Sequence, residues 1–274
     1  FEMFGKDHQD NAPIYSKITR ILGCQPPQQY VYELFLDEHG TKISKTKGNG
    51  IAVEDWLKYA PQESLSLYQF QKPRVAKKLY FDVIPKAVDE YLTFLEKYPQ
   101  EERNRQVENP VWHVHGGQPP QWNSPVSFAL LLNLVSVANA ENREQLWGYI
   151  SRYAPGASAE THPLLDELAG YAMAYYRDFV APTKSYRAPS DQERAAMEDL
   201  AKQLRAWDGA VDQGELQTLT FSVGKAHEFE NLRAWFQALY EVLLGQSQGP
   251  RFGGFIALYG VEETATLIEE ALAR

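Results

Sequence analysis

Cysteine is almost missing from this chain: Cys24 is the only one in 274 residues. One thiol excludes an internal disulfide and any thiolate-rich zinc site. It suits a reducing compartment, so a cytoplasmic setting is the expectation. Long apolar runs are lacking too. The longest, Phe128-Ala129-Leu130-Leu131-Leu132-Asn133-Leu134-Val135, breaks at Asn133. A bilayer span needs about 20 apolar residues, so this run reads as a buried helix and no membrane partner is expected. No secretory leader is expected either, and no fixed-period repeat or low-complexity tract occurs. Positive charge is in deficit: 27 Lys and Arg stand against 36 Asp and Glu, a net −9. Taken alone, that argues against a nucleic-acid partner.

The distribution of charge softens the last point. Between Lys42 and Lys86 lie nine basic and four acidic residues, a surplus of five that leaves −14 for the rest. The run Gly40-Thr41-Lys42-Ile43-Ser44-Lys45-Thr46-Lys47-Gly48-Asn49-Gly50 opens this basic stretch. Its lysines supply point positive charge for phosphate and its hydroxyls add neutral donors. Its glycines let the backbone turn and move. Such a loop suits a mobile clamp on a triphosphate, where charge builds up as pyrophosphate leaves. The same composition also suits an ordinary surface turn.

Periodicity divides the chain into three parts. Residues 1–50 read as turn, helix (Ile14 to Gly23), strand (Tyr30 to Leu36) and loop, an α/β piece. Residues 51–120 hold short helices over Asp55 to Tyr59 and Pro61 to Gln69, then an amphipathic helix over Pro85 to Tyr98. They close in a loop-rich stretch from Asn109 to Gln121. Residues 121–274 read as helical throughout. Ser124-Pro125 caps a helix to Ala140, and Glu144 to Tyr153 and His162 to Phe179 follow. Pro182 to Ser190 is the expected internal linker. Ser190-Asp191-Gln192-Glu193 matches a capping box before a helix to Trp207. Leu216 to Glu228, Leu232 to Leu243 and Val261 to Leu272 complete the set. The expected fold is thus mostly α with a small α/β part.

The order of Phe4-Gly5-Lys6-Asp7-His8, helix, strand and Lys42-Ile43-Ser44-Lys45-Thr46 resembles the second half of the catalytic Rossmann domain of class I aminoacyl-tRNA synthetases. The lysine loop is similar to their KMSKS motif, with Ile43 for Met and Thr46 for the final Ser. Five further runs narrow the likeness to class I lysyl-tRNA synthetase: Lys47-Gly48-Asn49-Gly50, Tyr59-Ala60-Pro61-Gln62-Glu63-Ser64-Leu65, Gln71-Lys72-Pro73, Leu79-Tyr80-Phe81-Asp82-Val83-Ile84-Pro85 and Gly249-Pro250-Arg251-Phe252-Gly253-Gly254-Phe255. The family's HIGH motif has no counterpart here. The resemblance therefore implies the C-terminal portion of a larger ligase, inactive by itself in lysine activation. It implies a Rossmann portion over 1–50, a stem-contact-like connection over 51–120 and an anticodon-binding helical bundle over 121–274.

The resemblance also implies roles. Lys45 would steady the phosphates of ATP during catalysis, with Lys42, Ser44 and Thr46 binding or shaping the ATP loop. His8 and Tyr32 would face lysine and its adenylate, although capping or core roles compete for both. Glu33 is a weak partner for the lysine ammonium, since strand alternation turns it away from Tyr32. Lys72, Arg74, Lys77, Lys78 and Arg251 would contact tRNA(Lys). ATP and Mg2+ are the implied cofactors, and lysine and tRNA(Lys) the partners. His113 and His115 would share one face of a strand, but without cysteine or a third ligand no metal site is expected. Trp112, Trp122, Trp147, Trp207 and Trp235 are expected mostly in the core. Two other readings stay open: a tRNA-binding module without catalysis, and a glutamyl-type class I synthetase.

Overall fold

A computed structural model describes residues 1–44, 46–124, 126–138, 140, 142–229 and 231–274. Two units are distinguished, Phe1–Trp122 and Asn123–Arg274. Helices dominate, with short strands confined to the first unit.

The first unit opens as a β-α-β element. Strand β1 (Glu2–Gly5) leads through a 3-10 turn (Lys6–His8) into α1 (Ala12–Ile21), which carries Pro13 in its first turn. Strand β2 (Gln29–Tyr32) then pairs with β1 in parallel, from Glu2 against Gln29 to Gly5 against Tyr32. The single strand expected over Tyr30 to Leu36 is in fact broken. Glu33 gives its amide to Pro73 O at 2.8 Å. A separate strand, β3 (Phe35–Leu36), pairs in parallel with β4 (Lys77–Lys78). Apolar and aromatic residues run on across the break, interrupted only by Glu33 itself, so the pattern carried no sign of a change of partner.

Around β4 lie α2 (Val53–Trp56), α3 (Gln62–Phe70), α4 (Ile84–Lys97), α5 (Arg103–Gln106) and α6 (Pro110–Val114). Helix α4 buries Ile84, Ala87, Val88, Tyr91, Leu92 and Leu95, the three-and-four spacing of one apolar stripe. Trp56, only 1% exposed, donates its indole N–H to Ser64 Oγ at 3.0 Å. The stretch from Asn109, expected as loop, instead opens with α6, whose C-terminal cap is His115. Two residues apart on a helix, the side chains diverge. His113 Nε2 meets Val107 O at 2.8 Å, and His115 Nε2 meets the Tyr91 hydroxyl at 2.9 Å.

The second unit is a helical bundle: α7 (Phe128–Ala138), α8 (Arg143–Tyr153), α9 (Pro163–Tyr175), α10 (Asp191–Arg205), α11 (Gln213–Ala226), α12 (Leu232–Leu239), α13 (Phe252–Tyr259) and α14 (Val261–Ala273). Helix α11 packs on α13, α10 on α14 and α7 on α9. Helix α7 begins later than expected. Ser127 Oγ takes the Leu130 amide at 3.2 Å, while Ser124 Oγ takes that of Val126; Pro125 lies outside the described residues. Single π-helical turns extend α9 over Tyr176–Val180 and α12 over Tyr240–Leu244. The Ser190 capping box forms with both of its bonds.

Pro182 to Ser190 is bound down along its length. Lys184 Nζ donates to Ser136 O at 2.7 Å and Ser185 N to Gly245 O at 2.9 Å. Arg187 forks onto Glu193 at 2.6 and 2.8 Å and reaches Glu241 at 2.5 Å. This segment is a pinned part of the bundle, in contrast to the free linker its proline and polar residues suggested. Trp235 and Trp122 are buried, whereas Trp112, Trp147 and Trp207 are half-exposed. Among the described residues no helix is long and apolar enough to cross a membrane.

Candidate functional site

Parallel strands place their carboxyl ends side by side, and in α/β sheets ligands bind beyond those ends. Here β1 ends at Gly5 and β2 at Tyr32, in register. The turn after β1 carries Lys6, Asp7 and His8, and the His8 side chain is exposed. Tyr32 is 40% exposed at the close of β2. Glu33 comes next, and its carboxylate takes Lys6 Nζ at 2.6 Å. That bond is the main reason its pKa lies below the ordinary value. Glu33 is therefore engaged by Lys6 rather than set out for a ligand ammonium.

The lysine loop leaves from β3. Leu36 bridges Lys42 in antiparallel fashion, and Ile43 N donates to Phe35 O at 3.2 Å. Gly40 and Gly48 sit at φ 81° and 62°, a region that side chains rarely enter. Lys42 Nζ lies 3.4 Å from Asp7 Oδ2, with both side chains largely exposed. The contact joins segments 35 positions apart: the turn bearing His8 and the loop bearing Lys42 meet at the strand ends. Ser44 O receives the amides of Lys47 and Gly48, each at 3.1 Å, and Thr46 is exposed in that turn. Lys45, the first catalytic candidate, lies outside the described residues.

The basic residues downstream divide. Lys72, at φ 45°, and Arg74 are exposed; Arg74 stacks its guanidinium 4.7 Å from the Tyr30 ring centre. Lys78 is also exposed and donates to Glu38 O at 2.8 Å. Lys77 directs its ammonium at the carbonyls of Tyr68, Gln69 and Gln71, the C-terminal end of α3. Burial lowers its pKa. Arg251 is exposed at the start of α13 in the second unit.

A cavity of about 830 Å3 lies along the sheet face carrying Met3, Tyr30 and Tyr32, with Phe70, Pro73 and Lys77 on its far wall. A second, of about 490 Å3, is lined by Lys6, Tyr32, Glu33 and Arg74. Both reach the end of β2. Among the described residues no group of three or more His, Cys, Asp or Glu is placed to hold a metal ion.

Sequence reasoning passed over Asp37, weighed Asp7 only as a cap and gave Asn49 no role of its own. Asp37-Glu38-His39-Gly40 has the pattern of an Asx turn, Asp first and Gly fourth, which marks Asp37 as a turn former. Nothing local linked it to Asn49, or Asp7 to Lys42.

Residues 1–118 match the family described as tRNA synthetases class I (K). That stretch is similar to the class I tRNA synthetases. A lysine–tRNA ligase of Roseobacter denitrificans is 58% identical over 273 residues, covering 100% of this chain and 52% of the relative. One from Rickettsia bellii is 51% identical over 274 residues, 99% of this chain and again 52% of its own length. The chain thus spans about half the length of the curated relatives it matches. A solved glutamate tRNA ligase from Elizabethkingia meningosepticum aligns with 99% of this chain and 56% of its own at 12% identity, with a TM-score of 0.36. That superposition is too loose to carry an argument. The stretch matched to the synthetase family holds the His8 turn, the lysine loop and Lys72 to Lys78; Arg251 falls beyond it.

Proposed function

We propose that this chain is the portion of a lysine–tRNA ligase that supplies one wall of the ATP site and the tRNA grip. In the whole enzyme, the lysine carboxylate attacks the α-phosphate of ATP, giving lysyl-adenylate and pyrophosphate. The lysyl group then passes to the 3′-terminal ribose of tRNA(Lys) and AMP leaves. Such catalysis is mainly positioning and charge stabilisation. The observation that carries the reading is the meeting of Lys42 with Asp7, beside His8, at the carboxyl ends of two parallel strands.

In this reading Lys42, Ser44 and Thr46 receive the phosphates together with Lys45, whose role rests on the sequence. Phosphate would displace Asp7 from Lys42, since an exposed ion pair is weak. His8 and Tyr32 border the adenylate and the lysine side chain. The loop offers ammonium and hydroxyl donors, which suit phosphate oxygens and repel a cation. Magnesium would be held by the triphosphate oxygens rather than by these side chains, and would offset phosphate charge there. Lys72, Arg74 and Lys78 form the first unit's phosphate contacts with tRNA, Lys77 braces α3 beneath them, and Arg251 makes a contact in the second unit. Residues 1–50 form the Rossmann portion, 51–120 the stem-contact connection and 121–274 the anticodon-binding bundle. Protein synthesis places the enzyme in the cytoplasm.

No His-Ile-Gly-His occurs in the 274 residues, which favours a second reading of the isolated chain as a tRNA binder without chemistry. The glutamyl-type alternative has less support, because the Roseobacter and Rickettsia relatives, 58% and 51% identical, are lysine–tRNA ligases. Filter binding and ATP–pyrophosphate exchange test the proposal together. The expected result is binding that prefers tRNA(Lys) and is inert in lysine-dependent exchange. Equal binding of unrelated tRNAs would overturn the assignment, and exchange by the chain alone would overturn its division of the ATP site.

A further inference from the structure

Beneath the lysine loop lies a polar cluster that the proposed chemistry does not use. Asp37 follows β3 directly and is 8% exposed. Its Oδ1 accepts the amides of His39 at 3.0 Å and Thr41 at 2.7 Å. Its Oδ2 accepts Asn49 Nδ2 at 2.7 Å. The same Nδ2 reaches Lys42 O at 3.3 Å, and Asn49 Oδ1 takes the Ser44 amide at 2.9 Å. Two side chains at the two ends of the loop thus hold each other, and one of them grips the backbone on both sides of Ile43.

We propose that Asp37 and Asn49 are a positioning pair that fixes the stem of the lysine loop and so sets how Lys42 and the Ser44 amide meet a bound polyphosphate. The role rests on the polyphosphate reading given above. A turn former acting alone would need only the bonds from Asp37 to His39 and Thr41. The bonds through Asn49 add nothing to that turn; their effect is to tie the returning limb of the loop to residues 42 and 44. Binding a polyphosphate to an untied loop would require ordering that backbone in the same step, which weakens affinity. The bond from Asn49, followed by that from the Thr41 amide, keeps the Asp37 carboxyl below its ordinary pKa. It remains an acceptor at neutral pH.

The 274-residue chain itself serves for the test. Inorganic pyrophosphate and ATP are titrated calorimetrically into wild type, N49A and the exchange D37N/N49D. Amide hydrogen exchange at residues 41–48 and thermal melting are followed alongside. Loss of these bonds in N49A should weaken pyrophosphate binding by roughly tenfold and speed exchange of the Ser44 amide by a similar factor, with a fall of only a few degrees in melting temperature. D37N/N49D restores an amide-to-carboxylate bond in the reverse sense and should recover most of both effects. The proposal is overturned if N49A binds pyrophosphate like wild type. It also fails if the exchanged pair recovers nothing, or if affinity falls only in step with melting temperature. If wild type binds neither pyrophosphate nor ATP while N49A still quickens Ser44 exchange, the polyphosphate reading falls and the latch on the loop stands.

Discussion

Gly253→Ala tests the packing of the second unit at its tightest point. Most helical glycines weaken a helix, and replacing one by Ala gains up to about 1 kcal/mol. At Gly253 the sign should reverse. A β-carbon there would sit 2.6 Å from Gln217 Cα and closer still to Gln217 N and Gln213 O, all backbone atoms of α11. Backbone cannot rotate away, so α13 must back off by about 1 Å to reach ordinary contact. Overpacking of this kind costs about 1–3 kcal/mol. The bond from Gly253 N to Gln217 Oε1, 2.8 Å long, would go with it, another 1 kcal/mol or so. Set against the propensity gain, the net loss is about 1–3 kcal/mol, or roughly 3–10 °C in melting temperature for a unit of this size. Gly148 in α8 is the control: it is exposed with nothing within 4 Å of a built β-carbon. G148A should gain about 0.5–1 kcal/mol. Melting of both variants by circular dichroism gives the answer. If G253A melts at or above wild type while G148A behaves as expected, the close approach of α11 and α13 is wrong.

Removing the capping hydroxyl in S190A should destabilise the second unit by about 1 kcal/mol, read from denaturant unfolding. The Arg187 bond holds the Glu193 pKa below its ordinary value. Its stabilisation is therefore complete above the ordinary glutamate value and is lost as pH falls through the lower folded one. Unfolding followed from neutral to acid pH should show that limb in wild type, and E193Q should lack it. W56F strips the buried bond to Ser64 Oγ and should cost the first unit about 1–3 kcal/mol in chemical denaturation. If Arg74 and Lys78 contact tRNA phosphates, R74A and K78A should each flatten the salt dependence of binding by about 0.7–0.9 in log–log slope, and unchanged slopes would remove them from the interface.

The helices of the second unit were legible because each carries its own local evidence: apolar spacing, and at Ser190 a cap with its reciprocal glutamate. Helix α13 was harder. Two glycines in Phe252-Gly253-Gly254-Phe255 argue against a helix by propensity, and the proximity of α11 explains the first of them. The end of β2 shows the opposite failure. Tyr30 to Leu36 is a consistent strand pattern, yet the change of partner at Glu33 depends on Pro73, forty positions on, which no local signal reveals. The lysine loop itself was found by composition and order. Its support was not, because Asp37, Asn49 and Asp7 act across 12 and 35 positions. Lys77 was misjudged for the same kind of reason: it reads as one more surface cation until its ammonium is seen at the end of α3.

The break at Glu33 separates two properties that a continuous strand would have merged. His8 is carried on the sheet of β1 and β2, while the lysine loop hangs from β3, whose partner is β4. The two walls of the proposed site are therefore carried on separate strand pairs, with Glu33-Leu34 between them. Through Lys77, changes at the end of α3 bear first on the strand pair that carries the loop. If the proposed loop receives a nucleotide, the two strand pairs offer separate places to alter its fit.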